Sequence, residues 1–180
     1  MGVGYLTGQG GGGSNVKSIQ SGSGTLDGST LSSTIAVSAV NISKSVIIIN
    51  TSTSGYSEPM GAMHLKAELT GPTTISISRG RENGIPLFYS WVLVEFNNVK
   101  SKQTGSLNLG SNQFATQTIS QISTAKSLVF WSSFSTSTGP GTQGRQPLCY
   151  FTSSTQLAIN GNYGSAYNDL SVHWQVIEFK

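Results

Sequence analysis

Ten side chains in this sequence could titrate or attack near neutral pH: His64, His173, Asp27, Asp169, Glu58, Glu68, Glu82, Glu95, Glu178 and Cys149. A catalytic triad or metal site needs several of these to converge. The single cysteine excludes an internal disulfide and any multi-cysteine metal site. It stands in the apolar run Leu148, Cys149, Tyr150, Phe151 and reads as a small buried hydrophobe. Glu95 and Glu178 each close a Trp-x-x-x-Glu-Phe segment. Glycoside hydrolysis requires two carboxylates flanking one bond at roughly 5 to 10 Å, and each segment supplies one. The glycines of residues 1–15 imitate a phosphate-binding loop, but no strand precedes them and no Lys-Ser or Lys-Thr pair follows. The expectation is a non-enzymatic protein with no catalytic residue, cofactor or metal ligand.

Those segments belong to an internal repeat. Val16, Lys17, Ser18, Ile19, Gln20 recurs 83 residues later as Val99, Lys100, Ser101, Lys102, Gln103. Trp91 to Phe96 recurs as Trp174 to Phe179 at the same spacing, whereas Lys44-Ser45 and Lys126-Ser127, like Thr70 and Thr152, are 82 apart. His64 and His173 do not correspond, so a triad or metal site built once per copy is excluded. The expected organisation is a flexible Gly-rich arm over 1–15, one unit over 16–97 and a second over 98–180. On a strand, Trp91, Leu93 and Glu95 share a face, as do Trp174, Val176 and Glu178. A carboxylate on such a face needs a cation, and the recurring Lys44 and Lys126 are the expected partners of Glu95 and Glu178.

Within each unit, short β-branched runs alternate with Gly, Asn, Ser and Pro clusters. In the first unit this predicts strands near 18–26, 29–40, 45–51, 62–70, 73–79 and 88–96. The alternation in Thr73 to Ser78 points Ile75 and Ile77 inward, and Leu157 and Ile159 repeat this in the second unit. No window shows an apolar stripe of helical period, so helices should be scarce. The fold expected is all-β: two tandem antiparallel β-sandwiches of jelly-roll type. The runs Val46 to Ile49 and Leu128 to Trp131 are apolar on both faces, which requires a strand covered on both sides or an apolar face that seeks a partner.

Charged residues make up 9% of the chain, against ~25% in an average globular protein. Stability must therefore come from strand ladders and apolar burial. The net charge of +3 is spread along the chain, and the nearest approach to a basic cluster, Arg79-Gly80-Arg81, is followed by Glu82; nucleic-acid binding is not expected. Nor is membrane insertion, since no run approaches the ~18 to 20 apolar residues of a span. The N-terminus lacks the features of a secretory signal, and synthesis in the cytosol is expected. The string GGGGS within the arm also has the composition of an artificial linker. Candidate contact residues are Val3, Tyr5 and Leu6 of the arm, Tyr56, Tyr163 and Tyr167 of the long loops, and Arg145 in the loop Thr138 to Pro147. The tyrosines could stack on sugars or serve a protein interface.

The succession Gly22-Ser-x-Thr-Leu26, a Ser/Thr-rich strand, Asn41-x-x-Lys44-Ser45 entering a Val/Ile strand, Leu69-Thr-x-x-Thr-x-Ile75 and the closing Trp-x-x-x-Glu-Phe resembles tailed-bacteriophage virion proteins. These are small β-sandwich modules of capsid decoration proteins and of fibres or spikes. The likeness spans 16–180; an arginine after the Ile strand is matched by Arg79 in the first unit and replaced by Gly161 in the second. The resemblance implies a decoration protein that is made in the host bacterial cytoplasm and ends on the virion. Its implied partners are the major capsid protein or other virion proteins, and further copies of itself, a trimer above all, with the arm docking through Val3, Tyr5 and Leu6. The alternative it implies is a tail-fibre or spike component that binds a host surface glycan; a carbohydrate-active enzyme is disfavoured by the missing carboxylate pair.

Overall fold

Short β-branched runs between turn-forming residues become strands throughout the chain. The computed structural model describes residues 15–53, 60–109, 114–136, 147–161 and 170–180. The first half contains β1 (Val16–Leu26), β2 (Ser32–Ala36), β3 (Ser45–Thr53), β4 (Lys66–Gly71), β5 (Thr74–Ser78) and β6 (Leu87–Phe96). The second contains β7 (Val99–Asn108), β8 (Phe114–Thr118), β9 (Ser127–Phe134), β10 (Leu148–Ser153), β11 (Gln156–Asn160) and β12 (Ser171–Phe179). Short 3-10 turns at Ile42–Lys44 and Thr124–Lys126 lead into β3 and β9. A single helical turn, α1 (Met60–Met63), replaces the start of the strand expected from residue 62. The strand expected over 29–40 is confined to β2, because Val37 and Val40 bond to Thr73 and Pro72 in the turn before β5 instead of continuing the ladder.

The protein is all-β. Every pairing among the described strands is antiparallel, in four three-stranded sheets ordered β1-β6-β3, β2-β5-β4, β7-β12-β9 and β10-β11-β8. The two halves thus trace the same strand order. In the first half the two sheets enclose Leu26, Ile47, Ile75, Ile77, Leu87, Trp91 and Leu93. In the second they enclose Cys149, Leu157, Ile159, Val172, Trp174 and Val176. Cys149 is a core side chain, and burial pushes its thiol up to about 12.

Each tryptophan lies across a glycine on the neighbouring strand: Gly22 opposes Trp91 and Gly105 opposes Trp174. A Cβ on Gly22 would come within 2.9 Å of the indole, and one on Gly105 within 2.5 Å. Glycine is required here by close approach, not by backbone angle.

The two halves meet through the outer faces of β1-β6-β3 and β7-β12-β9. Val46, Phe96, Val99 and Ile177 are buried in this seam, with Val16, Val94, Phe130 and Phe179 against them. Phe96 and Phe179, which correspond in the repeat, meet edge to face at 5.1 Å. Asn15 and Asn98, also corresponding, share a 3.1 Å side-chain hydrogen bond. Two pairs of equivalent residues thus meet at the junction, while the rest of the seam is one-sided: the 3-10 turn before β3 touches β7, and β4 touches β9. The seam accounts for the first doubly apolar run, where Ile47 enters the core of its own half and Val46 enters the seam, and in part for the second, where Phe130 packs on the seam and Leu128 stays 48% exposed.

Gly105→Ala should force Trp174 out of its place and lower stability by roughly 1–3 kcal/mol. Urea denaturation and the near-ultraviolet dichroism of the tryptophans measure both effects.

Candidate functional site

The glutamates that end the closing strands are both buried, and each is held the same way. The Glu95 carboxylate accepts from Lys17 Nζ at 2.9 Å, Asn41 N at 3.2 Å and Ser18 Oγ at 3.4 Å. That of Glu178 accepts from Lys100 Nζ at 2.9 Å, Ser123 N at 3.0 Å and Ser101 Oγ at 3.1 Å. The partners are therefore Lys17 and Lys100, not the expected Lys44 and Lys126, which sit in the last residues of the two 3-10 turns. The reason is a β-bulge. Val16 faces Phe96 and Ser18 faces Glu95, so Lys17 is an extra residue in the ladder, and Lys100 is the extra residue between Val99 and Ser101. A bulge re-aims its side chain, here over the carboxylate. The Ser123 N–H, followed by Lys100, holds Glu178 below the usual carboxylate range. These carboxylates fasten β1 to the Asn41 turn and β7 to the Ser123 turn.

Arg79 is equally committed to structure. Its buried guanidinium donates to Thr30 O at 2.9 Å, to Ile85 O at 3.1 Å and to Asp27 O. Burial lowers its pKa, against the opposing charges of Asp27 and Glu82. Val3, Tyr5, Leu6, Tyr56, Arg145, Tyr163 and Tyr167 lie outside the described residues. Of the expected arm, Asn15 alone is described; its carbonyl accepts from Asn97 N at 2.8 Å where the two halves join.

Several residues that depart from the repeat lie where the halves meet. Gln175, in place of Val92, bonds the main chain of Ile47 in both directions, donating at 2.8 Å and accepting at 3.2 Å. Lys102, in place of Ile19, donates to Ile42 O at 3.0 Å and Ser45 O at 2.6 Å, and burial lowers its pKa to about 8. His173, in place of Ser90, lies 3.5 Å from Glu68, which is bound to Lys66 at 2.8 Å. Burial and then the Lys66 charge lower the His173 pKa, with Glu68 opposing. This cluster lines a cleft of about 370 Å³ shared by both halves. It brings together one carboxylate and one imidazole, whereas the sequence pairs Glu95 with Glu178, which are tied up in separate halves.

On another side of the seam, β3 and β9 border a groove of about 510 Å³, lined chiefly by Ile48, Met63, His64, Val129, Phe130 and Trp131. His64 is 1% exposed. Its Nδ1 shares a hydrogen bond with Ser133 Oγ, while its Nε2 is buried with no partner among the described residues. Burial lowers its pKa to about 4, so the ring is neutral at neutral pH.

No protein-family model matches the chain, and no curated protein or solved structure was found to be similar to it.

Two outcomes follow from these contacts. A histidine whose folded pKa is depressed stabilises the fold above its unfolded pKa of ~6.5, and that stability is lost as pH falls toward 4. For His64 the loss is on the order of 3 kcal/mol. Melting temperatures recorded from pH 7 to 4 should therefore decline, and His64→Gln should flatten the decline even if it lowers the starting value. Gln175→Ala strands the Ile47 N–H and C=O in the seam and should cost about 1–3 kcal/mol, read as a lower urea midpoint; Gln103→Ala, at a half-exposed position bonded to Ser120, should cost less.

Proposed function

We propose that the chain is a structural protein of a tailed-bacteriophage particle, a decoration protein that binds the assembled head in many copies and acts without catalysis. The observation that carries this reading is a face present in one half and missing from the other. On the outer side of β10-β11-β8, Leu148 is 58% exposed, Phe114 50% and Tyr150 44%. Leu148 and Phe114 flank Asn160 across the sheet, and Tyr150 stands beside the buried Ala158. The corresponding positions of β2, β4 and β5 are Lys66, Ser32, Ser78, Glu68 and Ser76. Strands β8, β10 and β11 carry no ionisable group other than Tyr150 and the buried Cys149. Large apolar side chains grouped on an uncharged sheet mark a protein-binding face.

The joined halves suit that role. The buried polar side chains Gln20, Arg79, Glu95, Gln175 and Glu178 each bond main chain or lysine and hold elements together. A rigid body of this kind that binds only the assembled lattice shifts the equilibrium away from disassembly by mass action. In this reading the partners are the major capsid protein and further copies of the chain, in a symmetric cluster for which a trimer is preferred. The chain is made in the bacterial cytoplasm and ends on the virion.

A quantitative gel of purified particles should find hundreds of copies per virion. Leu148→Asp combined with Tyr150→Asp, and separately removal of residues 1–15, should abolish incorporation. The aspartates should leave the melting temperature of the free protein nearly unchanged, since both side chains are exposed. A handful of copies per particle, with binding to a glycan array that survives removal of the arm, would replace this reading with that of a glycan-binding fibre component.

A further inference from the structure

The cleft shared by the halves holds hydrogen-bonding groups that the fold does not use. Its floor is the outer face of β7 and β12, where Ser106 lies directly opposite His173 and Thr104 stands two residues along the same face. Its wall is β4, which contributes Glu68 and Thr70. Among the described residues the hydroxyls of Thr70, Thr104 and Ser106 have no protein partner. His173 turns Nδ1 to Glu68 at 3.5 Å, and its Nε2 is equally unpartnered among those residues. Contacts across the seam fix this wall over the floor. Ala67 N donates to Ser132 Oγ at 3.2 Å, the Gln175 amide clasps Ile47, and Lys102 holds the Ile42 and Ser45 carbonyls. The unused groups are therefore held in place before any ligand arrives, which lowers the cost of binding one.

The charges of the lining are already balanced. The Glu68 carboxylate is offset by Lys66 at 2.8 Å, Lys102 is committed to its two carbonyls, and burial keeps the His173 imidazole neutral at neutral pH. An anion finds no uncommitted cation here. A metal ion finds one carboxylate and one imidazole, short of the three protein ligands of an open zinc site. A peptide strand gains no ladder, because the floor is a sheet face that offers its occupant side chains and not main chain. What these groups suit is a neutral molecule that donates and accepts at several closely spaced positions. A sugar ring has that property, since each of its hydroxyls does both. The cleft, at about 370 Å³, is at the small end of the range for ligand sites, which favour domain interfaces. We propose that it binds one residue of a neutral sugar. Glu68 and His173 Nε2 accept from ring hydroxyls, and the hydroxyls of Thr70, Thr104 and Ser106 complete the ring of contacts. This inference does not rest on the decoration reading, since a protein of the head or of a fibre can carry such a cleft.

The test is a nuclear magnetic resonance titration of the full chain at neutral pH with glucose, galactose, mannose and N-acetylglucosamine, and with inorganic phosphate as an anionic control. At least one sugar should shift the imidazole resonances of His173, identified by their loss in His173→Gln, and should saturate in the millimolar range that a few neutral hydrogen bonds support. Thr104→Val and Ser106→Ala remove hydroxyls that bond nothing in the fold. Each should weaken that sugar about three- to tenfold and leave the urea midpoint unchanged. Saturation by none of the sugars overturns the proposal, and so does saturation by phosphate alone. Sugar binding indifferent to both Thr104→Val and Ser106→Ala also overturns it, by placing the sugar on another surface. Sugar binding weakened by these variants, in a chain found at hundreds of copies per virion, retains both readings. The same binding by a chain that phage particles lack retains this inference and rejects the virion reading.

Discussion

Everything in this molecule follows from the need to cover both faces of two three-stranded sheets. A sandwich of about 80 residues has a thin core, and here the inner sheet of each half is apolar on its far side as well. Val46, Phe96, Val99 and Ile177 supply that far side, and the second half of the chain is what keeps it from water. The halves are therefore one packing unit: their own cores are built from inward side chains at every second position, and the seam from the positions between. A chain with 9% charged residues has few surface ion pairs to add, so burial on two faces carries the stability.

The one-sided seam accounts for much of where the repeat is kept and where it is lost. In the inner sheet of each half three arrangements recur: tryptophan over glycine, glutamate under lysine, and glutamine clasping a turn. At the seam the environments differ, because one chain cannot place both copies of a residue at a single unsymmetrical contact. Gln175, Lys102, His173 and His64 stand at such contacts, and the residues at the matching positions of the other half are different. These departures from the repeat border the cleft and the groove, and others, at Phe114, Leu148 and Tyr150, turn the outer sheet of the second half apolar.

The acidic pair shows how far sequence reasoning reaches. Burial of Glu95 and Glu178 follows from sharing a strand face with tryptophan. Identifying their cations required the register. Strict alternation cannot reveal a bulge, since the extra residue alters no composition and breaks no apolar pattern. One signal was present: Lys17 and Lys100 are separated by the same 83 residues as the glutamates, whereas Lys44 and Lys126 are 82 apart. Groups that act together tend to share one register, and the turns before β3 and β9 lie in a different one.

By itself the sequence determined the all-β class, the scarcity of helix, the inward direction of Ile75, Ile77, Leu157 and Ile159, and the burial of Cys149. These depend on local periodicity and on the solvation of single side chains. Only the tertiary structure decided which lysine meets which glutamate, how the halves are joined, and that the outer sheet of the second half is apolar where its counterpart is polar. It also decided that β3 and β9 border a groove into which the buried His64 is set. Each of these depends on which distant segments meet, and a spacing along the chain does not state what lies across a strand, a bulge or a seam.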